Sequence, residues 1–228
     1  MDTKTLQYQR PEFLSSDPIQ IPHRFNEKSD IEIAAFLTAT IAWGNRLIII
    51  RSANRMMELM EEAPHDFVMS ASEEELTSLK GFVHRTFNGL DFITFVKGLR
   101  HIYSTYGGME TLFAKYAHGQ HLQEAITKVR SHFFEIPHLQ RSEKHFSNPS
   151  KGSAAKRINM FLRWMVRPSD SGVDFGLWTQ LQPSQLSCPL DVHSGKVARA
   201  LGLLSRNQND SRAVAELDRA LRKLDPAD

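Results

Sequence analysis

Apolar positions along the chain recur mostly at intervals of three and four, the period of a helix. The clearest run is Phe92, Phe95, Val96, Leu99, Ile102, Tyr103 and Tyr106. It predicts a helix opened by Asn88 or Asp91 and ended by Gly107-Gly108. Upstream, Ser29-Asp30-Ile31-Glu32 reads as a capping box. The helix after it carries Ile31, Ile33, Ala34, Ala35, Phe36, Leu37 and Ile41, enough apolar surface to be buried. Trp43-Gly44-Asn45-Arg46 interrupts the pattern, and a second helix is expected over about 47–62, stopped by Pro64. Ser72 with Glu75 caps a short helix that ends near Lys80-Gly81. Amphipathic helices follow at about 109–117 and 121–135, the second closed by Pro137. A helix ending near 166 comes next, then one opened by Asp191 with Val197, Ala200, Leu201 and Leu204 as its apolar face. The last helix, about 211–224, aligns Val214, Leu217, Leu221 and Leu224. Residues 1–28 read as irregular, because Pro18 and Pro22 bias their predecessors away from helix, and are expected to pack across later helices. No segment shows sustained strand alternation, so the pattern predicts an all-α fold.

Length and composition narrow the class. A chain of 228 residues can bury one sizeable core, or two lobes sharing an interface. Charged residues at 24% and hydrophobic ones at 41% are ordinary for a globular protein in water. No apolar run reaches the roughly 18 residues of a membrane span, and Met1-Asp2-Thr3-Lys4 lacks the pattern of a signal peptide. A single cysteine, Cys188, cannot build a disulfide framework or a four-cysteine metal or iron–sulfur site by itself. These features lead to an expectation of a cytoplasmic protein with no cofactor. The net charge is only +2, so a nucleic-acid partner has to be argued from where charge lies.

Two stretches carry candidate chemistry. From 141 to 167 the basic residues are Arg141, Lys144, Lys151, Lys156, Arg157, Arg163 and Arg167, against the single acid Glu143. Inside it, Asn148-Pro149-Ser150-Lys151-Gly152-Ser153 is a turn entering a helix, a geometry that aims backbone N–H groups and a positive dipole end at an anion. The same charge run is also consistent with a solvated face. The second stretch is Cys188-Pro189-Leu190-Asp191-Val192-His193, where Asp191 stands at a helix start. Asp there is an ordinary N-cap, or a carboxylate that backbone donors keep ionised and aimed. His193 is a surface histidine or a phosphate contact. Asn45 and Trp43 either satisfy an inter-helix turn or border a pocket.

Pro189-Leu190-Asp191-Val192-His193, followed by Lys196-Val197-Ala198-Arg199-Ala200-Leu201-Gly202-Leu203, resembles the catalytic segment of the helix-hairpin-helix DNA glycosylases. The chain is also similar to a bacterial family of unknown function that carries this segment. The resemblance implies a two-lobed helical fold with a helix-hairpin-helix-like DNA-binding element at 141–167. One lobe would combine about 1–65 with 192–228; the other would hold about 66–191. Asp191 would be the catalytic carboxylate in the cleft between them, and double-stranded DNA the partner. Pro149, Lys151, Gly152, Ser153, Arg157 and His193 would hold DNA, while Asn45 and Trp43 would border the pocket.

Two departures stand out. The hairpin's first glycine is Ser150, and the lysine that lyase-competent members use as nucleophile falls on Ala154. Lys156 and Lys151 are the nearest lysines, but two residues along a helix turn a side chain by about 200°. That favours a water-using enzyme, with Lys156 kept as the candidate nucleophile. Residues 167–187 look like an insertion of the kind found in archaeal 8-oxoguanine glycosylases. The implied function is base excision; the alternative is a DNA-binding protein that kept the hairpin and lost the chemistry. Trp43, Trp164, Trp178, Phe175 and Phe161 are either core or base-stacking residues. Which base is removed, and the oligomeric state, are left open.

Overall fold

A computed structural model describes residues 9–119 and 121–227; residues 1–8 of the expected irregular segment lie outside these. The described residues are mostly helical, with one minimal two-stranded ribbon. The helices are α1 (Lys28–Ile41), α2 (Arg46–Leu59), α3 (Pro64–Ser70) and α4 (Glu73–Ser78). The ribbon pairs β1 (Val83–His84) with β2 (Phe87–Asn88). Then come α5 (Gly89–Tyr106), α6 (Met109–Tyr116), α7 (Gln123–Phe133), α8 (Lys156–Val166), α9 (Val192–Ala200) and α10 (Ser211–Arg222).

Local chemistry accounts for most boundaries. Asn88 Oδ1 accepts from the Leu90 and Asp91 amides while the Asp91 carboxylate accepts from the Asn88 amide, which fixes the start of α5. Gly107, at φ 77°, closes that helix in the left-handed conformation that favours glycine. Ser72 and Glu75 form the expected capping box.

The expected box at Ser29 does not form. Helix α1 starts at Lys28, and Glu32 is buried, accepting from Tyr103 Oη at 2.6 Å, the Met109 amide at 2.9 Å and Trp178 Nε1 at 2.8 Å. A carboxylate with three interior donors has no reason to fold back on its own N-cap. Pro64 begins α3 rather than merely ending α2, a place where its missing N–H costs nothing.

The cores divide at a different place from the expected lobes. One large cluster joins the N-terminal Ile19 and Ile21, helices α1 to α8, and Trp178 and Leu181 of the 167–187 segment. Helix α1 packs directly on α8. A small cluster joins Ala154, just after the 148–153 turn, with Leu190, Ala198, Leu204, Ala213, Val214 and Leu217. The described N-terminal residues from Ile19 to about 65 therefore share their core with the middle helices, and α9 and α10 rest on the 148–154 segment. Of the expected apolar face of α9, Val197 at 58%, Leu201 at 50% and Ala200 are exposed, and only Leu204, beyond the end of the helix, is buried; within α9, Gly195 and Ala198 face inward instead. The face of α10 is covered by this small cluster, apart from Leu224.

Candidate functional site

The element upstream of the 148–153 turn is a six-residue 3-10 helix, Gln140–His145, in place of a full α-helix. The turn itself is a 3-10 turn, Pro149–Lys151, capped by Asn148 and closed by Gly152 at φ 88°. Pro149 is buried; Lys151 and Gly152 are exposed. The Gly152 carbonyl accepts from the Ser211 amide at 3.0 Å, and Ser153 forms an isolated bridge with Asp210, which ties the turn to the start of α10.

Helix α8 begins only at Lys156, because Ala155 takes the left-handed conformation at φ 46°. That state is costly for a residue with a β-carbon, about 1–2 kcal/mol. Residues 154 and 156 are therefore not two steps along one helix, and a helical rotation between them does not apply. Lys156 Nζ lies 3.4 Å from Asp191 Oδ2, with about a third of each side chain exposed.

Asp191 caps α9: its Oδ1 accepts from the His193 amide at 2.9 Å and the Ser194 amide at 3.0 Å. The Asp191 amide donates back to Ser194 Oγ at 2.8 Å, and Asn209 Nδ2 donates to the Asp191 carbonyl at 2.8 Å. Partial burial works to raise the carboxyl pKa. The Ser194 amide, the Lys156 charge and the His193 amide outweigh it and hold Asp191 below the ordinary carboxylate value.

Both residues line a cleft of about 750 Å³ together with Trp43, Gly44, Arg46, Ser153, Met160 and Trp164. Arg157 lines it too, but from the inside. Its guanidinium stacks 4.7 Å over the Trp43 ring and donates to the Thr40 and His145 carbonyls; burial pulls it down to about 10. It is engaged with the fold rather than offered to a phosphate. Asn45 caps α2 through the Leu47 and Ile48 amides and is not among the lining residues. His193 is exposed at the rim. Of the expected aromatics, Trp43 and Trp164 reach the cleft, Trp178 and Phe161 are core, and Phe175 stacks on His23 with ring centroids 4.2 Å apart. Other basic residues of 141–167 also serve the interior: Arg141 pairs with buried Asp91 at 2.9 Å and Arg163 with buried Asp174 at 3.2 Å.

A family model described as "Protein of unknown function (DUF2400)" matches residues 17–228. The chain belongs to the DUF2400 family. No curated protein and no solved structure matches it. In this DUF2400 chain the cleft also recruits Asp17, Arg46, Ser147 and Asn209, none of which the sequence reading selected. Each lies in a different segment, and only Asp17-Pro18 carries a local signal, that of a capped turn. Among the described residues no group of three or more His, Cys, Asp or Glu is placed to hold a metal ion, and no helix is long and apolar enough to cross a membrane.

Proposed function

We propose that this chain is a base-excision DNA glycosylase, cutting the N-glycosidic bond of a damaged or mispaired base in double-stranded DNA. One observation carries the reading: a carboxylate held ionised at a helix mouth, 3.4 Å from a lysine ammonium, in an open cleft. The cleft volume, about 750 Å³, lies within the range of small-ligand sites, and the base must leave the duplex stack to enter it. Breaking the bond to C1′ develops positive charge on the sugar, and an ionised Asp191 beside it stabilises that charge. Lys156, once it sheds a proton, can add its amine to C1′ as the bond to the base breaks; the C1′–O4′ bond then opens, a proton passing from the amine to O4′, and a protonated Schiff base remains. Its place beside Asp191 removes the helical-rotation objection and favours lysine over water as the nucleophile. Arg46 at the rim and Lys151 on the 148–153 turn supply cations for the phosphate backbone, and His193 at the rim supplies an imidazole that can hydrogen-bond to a phosphate.

The test is a panel of duplexes carrying uracil, hypoxanthine, 8-oxoguanine, alkylated purines or mismatches, with borohydride added to trap a Schiff base. Wild type should excise at least one base and be trapped on the sugar that the base leaves behind. Asp191→Asn should lose excision while binding duplex nearly as before, and Lys156→Ala should lose the trapped adduct. Unchanged excision by Asp191→Asn overturns the assignment. Salt-sensitive duplex binding without excision would instead identify a DNA-binding protein that has lost the chemistry.

A further inference from the structure

A second carboxyl shares the cleft with Asp191 and Lys156. It belongs to Asp17, which comes from the opposite end of the chain. Asp17 caps the 3-10 turn Pro18–Gln20, its Oδ1 accepting from the Ile19 amide at 3.1 Å. Its own amide donates to the Leu14 carbonyl at 3.0 Å, and its carbonyl accepts from Gln20 Nε2 at 3.1 Å. The next residues, Pro18, Ile19, Ile21 and Pro22, are all buried, and this turn packs on α1 and α2. The carboxyl is thus carried on a strap clamped to the core.

The charged groups acting on Asp17 are Arg46 from α2 and Lys156 and Arg163 from α8. Arg157, Asp191 and His193 are the other titratable residues of the cleft wall. Burial pushes the Asp17 carboxyl up in spite of the three cations, whereas Asp191 is held down. Two carboxyls whose surroundings drive them apart within one site can divide the work of acid and anion.

Resting on the glycosylase reading, we propose that Asp17 donates a proton to the departing base, so that the bases removed are uncharged ones: deaminated, oxidised or mispaired. As the C1′–N bond breaks, its electron pair passes to the base nitrogen. The Asp17 proton moves to the base, which leaves neutral, and Asp17 remains as a carboxylate. The positive charge left at C1′ faces Asp191. A base made cationic by ring alkylation departs neutral without any proton, so it needs no such donor.

The experiment measures single-turnover excision from duplexes carrying uracil, hypoxanthine, 8-oxoguanine or 7-methylguanine. Wild type, Asp17→Asn and Asp191→Asn are compared, alongside borohydride trapping on a duplex with a preformed abasic site. Asparagine keeps the oxygen that caps Ile19, so the strap stays in place. Asp17→Asn should slow excision of the neutral base about 100-fold or more. It should also remove the fall in rate that wild type shows as pH rises through the Asp17 pKa, and leave trapping at the abasic site unchanged. Three results overturn the proposal while the glycosylase reading stands: Asp17→Asn excises at the wild-type rate, trapping falls in step with excision, or wild type prefers 7-methylguanine. If wild type removes no base and is not trapped, the glycosylase reading fails and this proposal fails with it.

Discussion

At the scale of single residues, the interior acids show how burial decides what a carboxylate does. Asp191 is partly open and keeps its charge. Glu32 is enclosed: burial raises its carboxyl pKa despite donation from Tyr103, Met109 and Trp178. A buried acid with a raised folded-state pKa binds its proton more tightly in the folded chain than in the unfolded one. Its contribution to stability therefore falls as pH rises from the ordinary carboxylate range towards the raised value. Glu32→Gln should remove that slope and should also cost about 1–3 kcal/mol, because the amide nitrogen would face a donor that only an oxygen satisfies. Denaturant midpoints of both proteins, followed by tryptophan emission across pH, measure both effects. A variant as stable as wild type at neutral pH would show that the Glu32 bonds contribute little.

At the scale of elements, the packing of α5 against α7 depends on one missing methyl group. A β-carbon built on Gly98 would fall 2.6 Å from the Phe133 ring. In a free helix Gly→Ala gains about 1 kcal/mol. Here overpacking, at about 1–3 kcal/mol, opposes that gain, and the ring is a fully buried member of the core. Gly98→Ala should therefore lower the thermal midpoint, and a rise would mean that Phe133 can swing aside at little cost. The junction between the 148–153 turn and α8 shows the same dependence on backbone detail. Because Ala155 breaks the helical path, α8 starts at Lys156, and Lys156 meets Asp191. Spacing along a presumed helix could not reveal this, since it assumes the regular conformation that Ala155 departs from.

At the scale of the whole molecule, the two cores differ greatly in size. The segment bearing Asp191 belongs to the smaller one, which holds seven buried apolar residues among those described. Fewer buried contacts mean a lower free energy for local opening. Amides of α9 and α10 should exchange with solvent faster than those of α1 and α5, as measured by native-state hydrogen exchange. Equal protection would show that both cores open only together. If the cleft binds a duplex, adding DNA should slow exchange in α9 more than in α5.

The positions and ends of most helices were legible in the sequence, as was the all-α class. Caps such as Ser72, Asn88 and Asp191 and the three-and-four spacing of apolar residues are local, acting within a few residues of chain. The sequence also singled out Asp191 and its turn, because proline and a capping acid mark a helix start wherever it packs. Which apolar residues would be covered was not legible. Val197 and Leu201 have the right spacing and still face solvent, because the neighbours that α9 rests on approach its other side. Nor could spacing reveal that Glu32 would be drawn inward by Trp178, or that Asp17, Lys156 and Asp191 would meet around one cleft. Those facts depend on contacts between segments far apart in the chain, and only the packed tertiary structure determines them.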